Sequence, residues 1–114
     1  PGAEERGIIA YDVLVNQCNM SAVDFMKLVS ENPAKLYGMY PKKGTLAVGS
    51  DGDITIVDKH IEHVLSKESA HTKADYIPYE GISVTGKVRD VILRGHHVVQ
   101  DGSLTESYLG ECIP

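Results

Sequence analysis

The sequence predicts an α+β chain, because helix-like patterning fills its first third and strand-like patterning fills the rest. Three observations carry this reading. Ala22, Met26 and Val29 fall on one helical face beside Phe25 and Leu28, behind Ser21 and Asp24, which resemble a short capping box. From Ile54 onward the period changes to two, with Ile54 and Ile56 pointing one way and Thr55 and Val57 the other. Between these patterns Gly49 to Asp53 gathers glycines and aspartates, the residues that reverse a chain between two strands.

The elements follow in order. Glu4, Glu5 and Arg6 precede an apolar-rich run from Ile8 to Val15, and acidic residues in a first turn suit a helix N-terminus. A second helix is expected over about Ala22 to Ser30. Asn32-Pro33 then predicts a fresh helix start, with Asn32 as the cap and Pro33 at the first helical position, where its missing N–H is harmless. Gly38 is the expected stop, since glycine takes the left-handed terminal conformation easily. The stretch Gly44 to Asp58 is expected to supply two short strands around its turn. The polar segment from Lys59 to Tyr76 reads as a strand extension and then a long surface loop. Tyr76 to Gly81 combines aromatics with Pro78 and Gly81 and reads as a structured connection. Strands are expected again at Ile82 to Val84, Val88 to Leu93 and His97 to Gln100, with Gly95-His96 as a two-residue turn. Asp101-Gly102 ends the last of them, and residues 103–114 read as a tail.

The chain has 114 residues, enough for one domain or part of one. Its formal net charge of −5 argues against the basic face that nucleic acid or an anionic membrane surface would require. No apolar run approaches the roughly 20 residues of a membrane-spanning helix. Cys18 and Cys112 are the only cysteines, and no secretory pattern precedes them, so the expected setting is the reducing cytoplasm. The sequence opens on Pro1-Gly2 and closes on Cys112-Ile113-Pro114, and it is expected to be a piece of a longer protein. A physical reason points the same way. The strands carry apolar residues on both faces, and two or three helices cannot cover both. Each exposed Val, Ile or Leu forgoes roughly 1.5–3 kcal/mol of burial.

Candidate chemistry is sparse. His60 and His63 are three apart, a spacing that converges on a helix and diverges on a strand, and no cluster supplies further metal ligands; solvated loop histidines are the simpler reading. His96 and His97 are adjacent, so on a strand they point to opposite faces and serve as turn or edge polarity. Neither Cys18 nor Cys112 can be tied to a histidine base. Ser50-Asp51-Gly52-Asp53 lacks the spacing and terminal glutamate of a calcium loop and reads as a turn. Lys42-Lys43-Gly44 lacks the flanking residues of a phosphate loop.

Asn32 to Asp51, running Asn-Pro-Ala-Lys-Leu-Tyr-Gly and on to Gly49-Ser50-Asp51, resembles the end of the catalytic barrel and the start of the C-terminal strands in cyclic amidohydrolases. Asp75-Tyr76-Ile77-Pro78-Tyr79-Glu80-Gly81, followed by Val84-Thr85-Gly86, Arg94-Gly95 and Asp101-Gly102, is similar to the dihydropyrimidinase and hydantoinase branch of that family. Pro1-Gly2-Ala3-Glu4 resembles the branch's Pro-Gly-x-Glu segment. Gly52, Ala70 and Gln100 depart from the branch's pattern, while His71 keeps the second member of a common His-His pair.

The resemblance implies terminal helices of a TIM-like (β/α)8 barrel over residues 1–43, strands of a composite β-sandwich and a connecting loop over 44–102, and a tail over 103–114. It implies a parent hydrolase that opens the cyclic amide ring of dihydropyrimidines or hydantoins at a centre of two divalent metal ions, zinc by analogy, with an aspartate moving the proton. Every metal ligand, the catalytic aspartate and a substrate-contacting asparagine would lie upstream of Pro1, so no catalytic, substrate-binding or metal-binding residue is expected in this chain. Pro1, Gly2 and Glu4 would flank the parent's active-site loop. The partners implied are the N-terminal barrel and sandwich strands, further copies in a homo-oligomer, and a small cyclic amide. Two alternatives stand beside this reading: a non-enzymatic interaction protein built on the same scaffold, and a free-standing β-rich binding module.

Overall fold

In the computed structural model, which describes residues 1–105 and 110–113, helices come first and strands follow. Helix α1, Arg6–Tyr11, continues into wider π-helical turns over Asp12–Gln17, where the Cys18 N–H donates to the Val13 carbonyl five residues back at 2.9 Å. Helix α2, Ala22–Met26, likewise passes through π-helical turns at Lys27–Glu31 into α3, Asn32–Leu36. The expected fresh start at Asn32 is therefore not made. Asn32 has helical φ −65° and ψ −45°, and its N–H bonds to the Lys27 carbonyl inside a continuous run. The wider turn just before Pro33 gives the proline ring room that a regular α-turn denies it. Gly38 does end the helix, at φ 70°, with the Met39 and Tyr40 amides both donating to the Ala34 carbonyl.

The four-stranded antiparallel sheet is ordered β1 (Ile54–Val64), β2 (Ser83–Leu93), β3 (His96–Gln100), β4 (Ser103–Leu104). Of the two strands expected around Gly49–Asp53, only the second forms. Thr45 to Val48 lies outside the sheet, because the loop is tied back on itself: the Asp51 amide donates to the Lys42 carbonyl at 2.9 Å and Ser50 Oγ to the Pro41 carbonyl at 2.7 Å. Gly44 begins this loop at φ 85° hard against α3, where a Cβ would stand 2.5 Å from that of Ala34.

The strands expected at Ile82 to Val84 and Val88 to Leu93 are one strand, β2. It passes through Gly86 at φ 125°, a position where a Cβ would lie 3.1 Å from both Ile8 Cδ1 and Tyr11 Cδ1. The turn into β3 is Arg94-Gly95, one residue earlier than expected, and Leu93 pairs with His96. Both turn residues have positive φ, 46° and 82°, which matches the twist of a two-residue hairpin. His96 and His97 thereby belong to β3. A second such turn, Asp101-Gly102, leads into β4 within the stretch expected to be a tail, with Gln100 opposite Ser103. Residues 106–109 and 114 of that tail lie outside the described residues.

The chain divides into two compact units, Pro1–Ala22 with Asp58–Lys87, and Val23–Val57 with Val88–Pro114. In the first, Ile8, Leu65, Ile77 and Val84 are buried, and the base of the loop after β1 is closed by the Leu65 amide on the Ile82 carbonyl and the Gly81 amide on that of Leu65. In the second, among the described residues, Ala34 is the only buried apolar side chain. Among the described residues no helix is long and apolar enough to cross a membrane.

Candidate functional site

In the first unit, the N-terminal segment meets the loop that follows β1. Gly2 turns at φ 83°, and a Cβ there would stand 3.1 Å from both Pro78 Cγ and Tyr79 Cε2, so this backbone approach requires glycine. Two residues on, the Glu4 carboxylate grips His71 with both oxygens. Oε2 accepts the His71 backbone N–H at 2.8 Å, and Oε1 lies 2.7 Å from ring Nδ1. The loop is braced internally as well. Glu80 Oε2 accepts the Lys67 N–H at 2.6 Å, Lys67 Nζ donates to the Thr72 carbonyl at 3.3 Å, and Ile77 is buried. The sequence places His71 in a surface loop; that its partner lies 67 residues away is a tertiary fact. Beside Glu4, Glu5 is buried, and neither of its carboxylate oxygens finds a hydrogen-bond partner among the described residues.

Asp12 forms a second polar centre in this unit. It is buried, and its carboxylate accepts Asn16 Nδ2 at 2.7 Å, Gln17 Nε2 at 3.1 Å and the Thr85 N–H at 3.1 Å. Asn16 Nδ2 also donates to the Thr85 carbonyl at 2.8 Å, so both backbone groups of Thr85 on β2 are met from the helical side. The Asn16 amide, followed by the Thr85 and Gln17 donors, holds the Asp12 carboxyl below its ordinary value against the opposing effect of burial. Sequence reasoning missed this centre, although amides four and five residues after an aspartate in a helical stretch are a usable signal.

The second unit has its own charged knot. Lys43 Nζ pairs with Asp53 and, at 2.9 Å, with Asp51, while Asp53 Oδ1 accepts the Arg94 N–H at 2.9 Å. Burial raises the Asp53 pKa, but Lys43 and the Arg94 amide together hold it below the ordinary value; Lys43 itself is raised by Asp53 and then Asp51. Asp90 is also buried and held low, first by the Arg89 guanidinium and then by the Asp101 N–H at 3.2 Å. These carboxylates bind the turns 51–53, 94–95 and 101–102, which is structural work.

The histidines and cysteines do not assemble. His60 and His63 lie on β1; the His60 N–H donates to Asp58 Oδ1, and burial, with Lys87 nearby, lowers the His63 pKa. Cys18 and Cys112 are unpaired and exposed. Among the described residues no three His, Cys, Asp or Glu side chains come together as a metal-holding group.

Comparison with known proteins gives this architecture a family. The model of the amidohydrolase family matches residues 4–98. The chain belongs to the amidohydrolase family. It is 44% identical over 111 residues to a D-hydantoinase of Ralstonia pickettii, covering 97% of this chain and 23% of that protein. It is 43% identical over 101 residues to a D-hydantoinase of Geobacillus stearothermophilus, covering 89% and 21%. Among solved structures, a D-hydantoinase (dihydropyrimidinase) from Thermus sp. superposes with a TM-score of 0.88 at 33% identity, over 92% of this chain and 23% of that one. This amidohydrolase chain thus spans less than a quarter of the length of the relatives it matches.

Proposed function

We infer that this chain is the C-terminal portion of a D-hydantoinase or dihydropyrimidinase type of cyclic amidohydrolase. The reaction is hydrolytic ring opening. Water breaks one C–N bond of a cyclic amide: the ring carbonyl carbon gains the hydroxyl and becomes a carboxylic acid, the departing ring nitrogen gains the other hydrogen, and the acid then ionises by releasing its proton to solvent. The observation that carries this reading is the 44% identity to a D-hydantoinase sustained over 97% of the chain. Two divalent metal ions, zinc by analogy, would polarise the carbonyl and activate water, held by residues outside this chain.

Within that protein residues 1–43 supply barrel helices, 44–102 sandwich strands and 103–114 the tail. Pro1, Gly2 and Glu4 flank the active-site loop. The chain alone is inactive, its partners being the remainder of the barrel and sandwich and further copies in a homo-oligomer. The exposed apolar side chains Leu36, Leu46, Val48 and Ile61 support the missing neighbours, and the unpaired Cys18 and Cys112 support a cytoplasmic setting.

The test is expression of the intact protein with its metals and assay on hydantoin and dihydrouracil. Ring opening by the intact protein and none by residues 1–114 is the expected result. Absence of ring opening by the metal-loaded intact protein refutes the reading.

A further inference from the structure

The Glu4–His71 pair and the Gly2–Pro78–Tyr79 contact share one feature: each ties the N-terminal segment to the loop between β1 and β2. Stability is a poor reason for the pair. Its two side chains are 42% and 45% exposed, and pairs in that setting contribute little to folding. Its geometry is nevertheless specific. Both carboxylate oxygens of Glu4 are committed to one residue, one on the backbone and one on the ring, which fixes the carboxylate in direction as well as distance. The loop that presents His71 is itself held by the Glu80 and Lys67 bonds and by buried Ile77, so His71 is a firm post.

We propose that His71 is a positioning residue for the hydrolase reaction, acting through Glu4 to fix the Pro1-Gly2 turn while Pro78 and Tyr79 close over Gly2. This rests on the hydantoinase reading, in which that turn flanks the active-site loop. A loosened turn weakens substrate placement in ground and transition states alike, so the defect falls on KM more than on kcat. His71 touches no reacting atom. The ring needs only a donor at the Nδ1 position, and the asparagine amide nitrogen can occupy that place.

The experiment uses the intact, metal-loaded enzyme with hydantoin as substrate. Glu4→Ala and His71→Ala are each expected to lower kcat/KM about tenfold, mostly through KM, with metal content and thermal midpoint unchanged. The double variant should be no worse than the worse single one, because both remove the same link. His71→Asn should return kcat/KM to within about threefold of the wild type, whereas His71→Phe should not. Wild-type kinetics in both single variants, losses that multiply in the double, or a loss that follows a lowered thermal midpoint without rescue by asparagine overturns the proposal while leaving the hydantoinase reading intact. An intact wild-type enzyme that opens no cyclic amide overturns both.

Discussion

The two compact units solve the same problem by different means. The first withdraws Ile8, Leu65, Ile77 and Val84 from water and sets the Asp12 hub beside Thr85. The second, among its described residues, buries only Ala34 of its apolar side chains and is tied by charge, through Lys43 with Asp51 and Asp53 and through Asp90 with Arg89. Its apolar side chains face outward: Leu36 is 78% exposed, Leu46 72% and Val48 fully. A well-buried Leu or Ile contributes roughly 1.5–3 kcal/mol, and among the described residues the second unit buries neither. The charged knots fix turns, and the second unit leaves many of its apolar side chains exposed. The lesson is that a stretch can carry its complete turn chemistry without carrying its own core.

The largest expected effect is association. Residues 1–114 alone should form oligomers through the second unit's apolar faces, whereas the intact protein should not gain such contacts. Sedimentation at increasing concentration checks this, and a persistent monomer of the isolated chain would remove the contrast. Next comes truncation of the core. Ile77→Ala should destabilise the isolated chain by about 2–4 kcal/mol in urea unfolding, while Leu36→Ala should change it by less than about 0.5. In the intact protein Leu36→Ala should cost about 2 kcal/mol or more, and equal costs in both settings would show that nothing covers Leu36.

Gly44→Ala tests whether the second unit is tight anywhere. With φ 85° and the Ala34 Cβ 2.5 Å from the new methyl, a loss of about 1–3 kcal/mol is expected, and tolerance would mean the loop floats free of α3. Asp12→Ala leaves the Thr85 N–H without its acceptor and should cost the first unit about 1–3 kcal/mol, read from hydrogen exchange at the Thr85 amide.

The smallest effect separates the units by pH. His63 in the first unit has a depressed pKa, so its contribution is present above the ordinary value of 6.5 and is lost as pH falls through the lower folded value. Asp51, Asp53 and Asp90 in the second are depressed from 3.8, so their contribution holds until pH falls below about 4. Lys43 is raised from 10.5, and its contribution is present below that value and lost as pH rises through the folded one. Residue-resolved hydrogen exchange should show protection around His63 weakening first on acidification, and the turns 51–53 and 94–95 first in alkali. The reverse order would reassign the charged groups.

Much of the local structure was legible from residues. The helix over Ala22 onward, its stop at Gly38 and the strand beginning at Ile54 follow from periodicity and from glycine's conformational freedom. The errors have physical reasons. Asn32-Pro33 imitates a helix start, but π-helical turns carry the helix through it. Gly86 looks like a strand break, yet its missing side chain is the space into which Ile8 and Tyr11 fit. Thr45 to Val48 has strand-like composition, but the Asp51 and Ser50 bonds to Lys42 and Pro41 tie it into a loop. Pro1, Gly2 and Glu4 were singled out by resemblance, whereas the partnership of Glu4 with His71 had no sequence signal.

By itself the sequence determined the order of helices before strands, several of the turns and the family, because these depend on local propensity and on motifs read residue by residue. Only the tertiary structure decided that Glu4 holds His71, that Asp12 meets Thr85 and that Lys43 meets Asp53. Those contacts join residues up to 73 apart, and their strength depends on burial and geometry that no local pattern encodes.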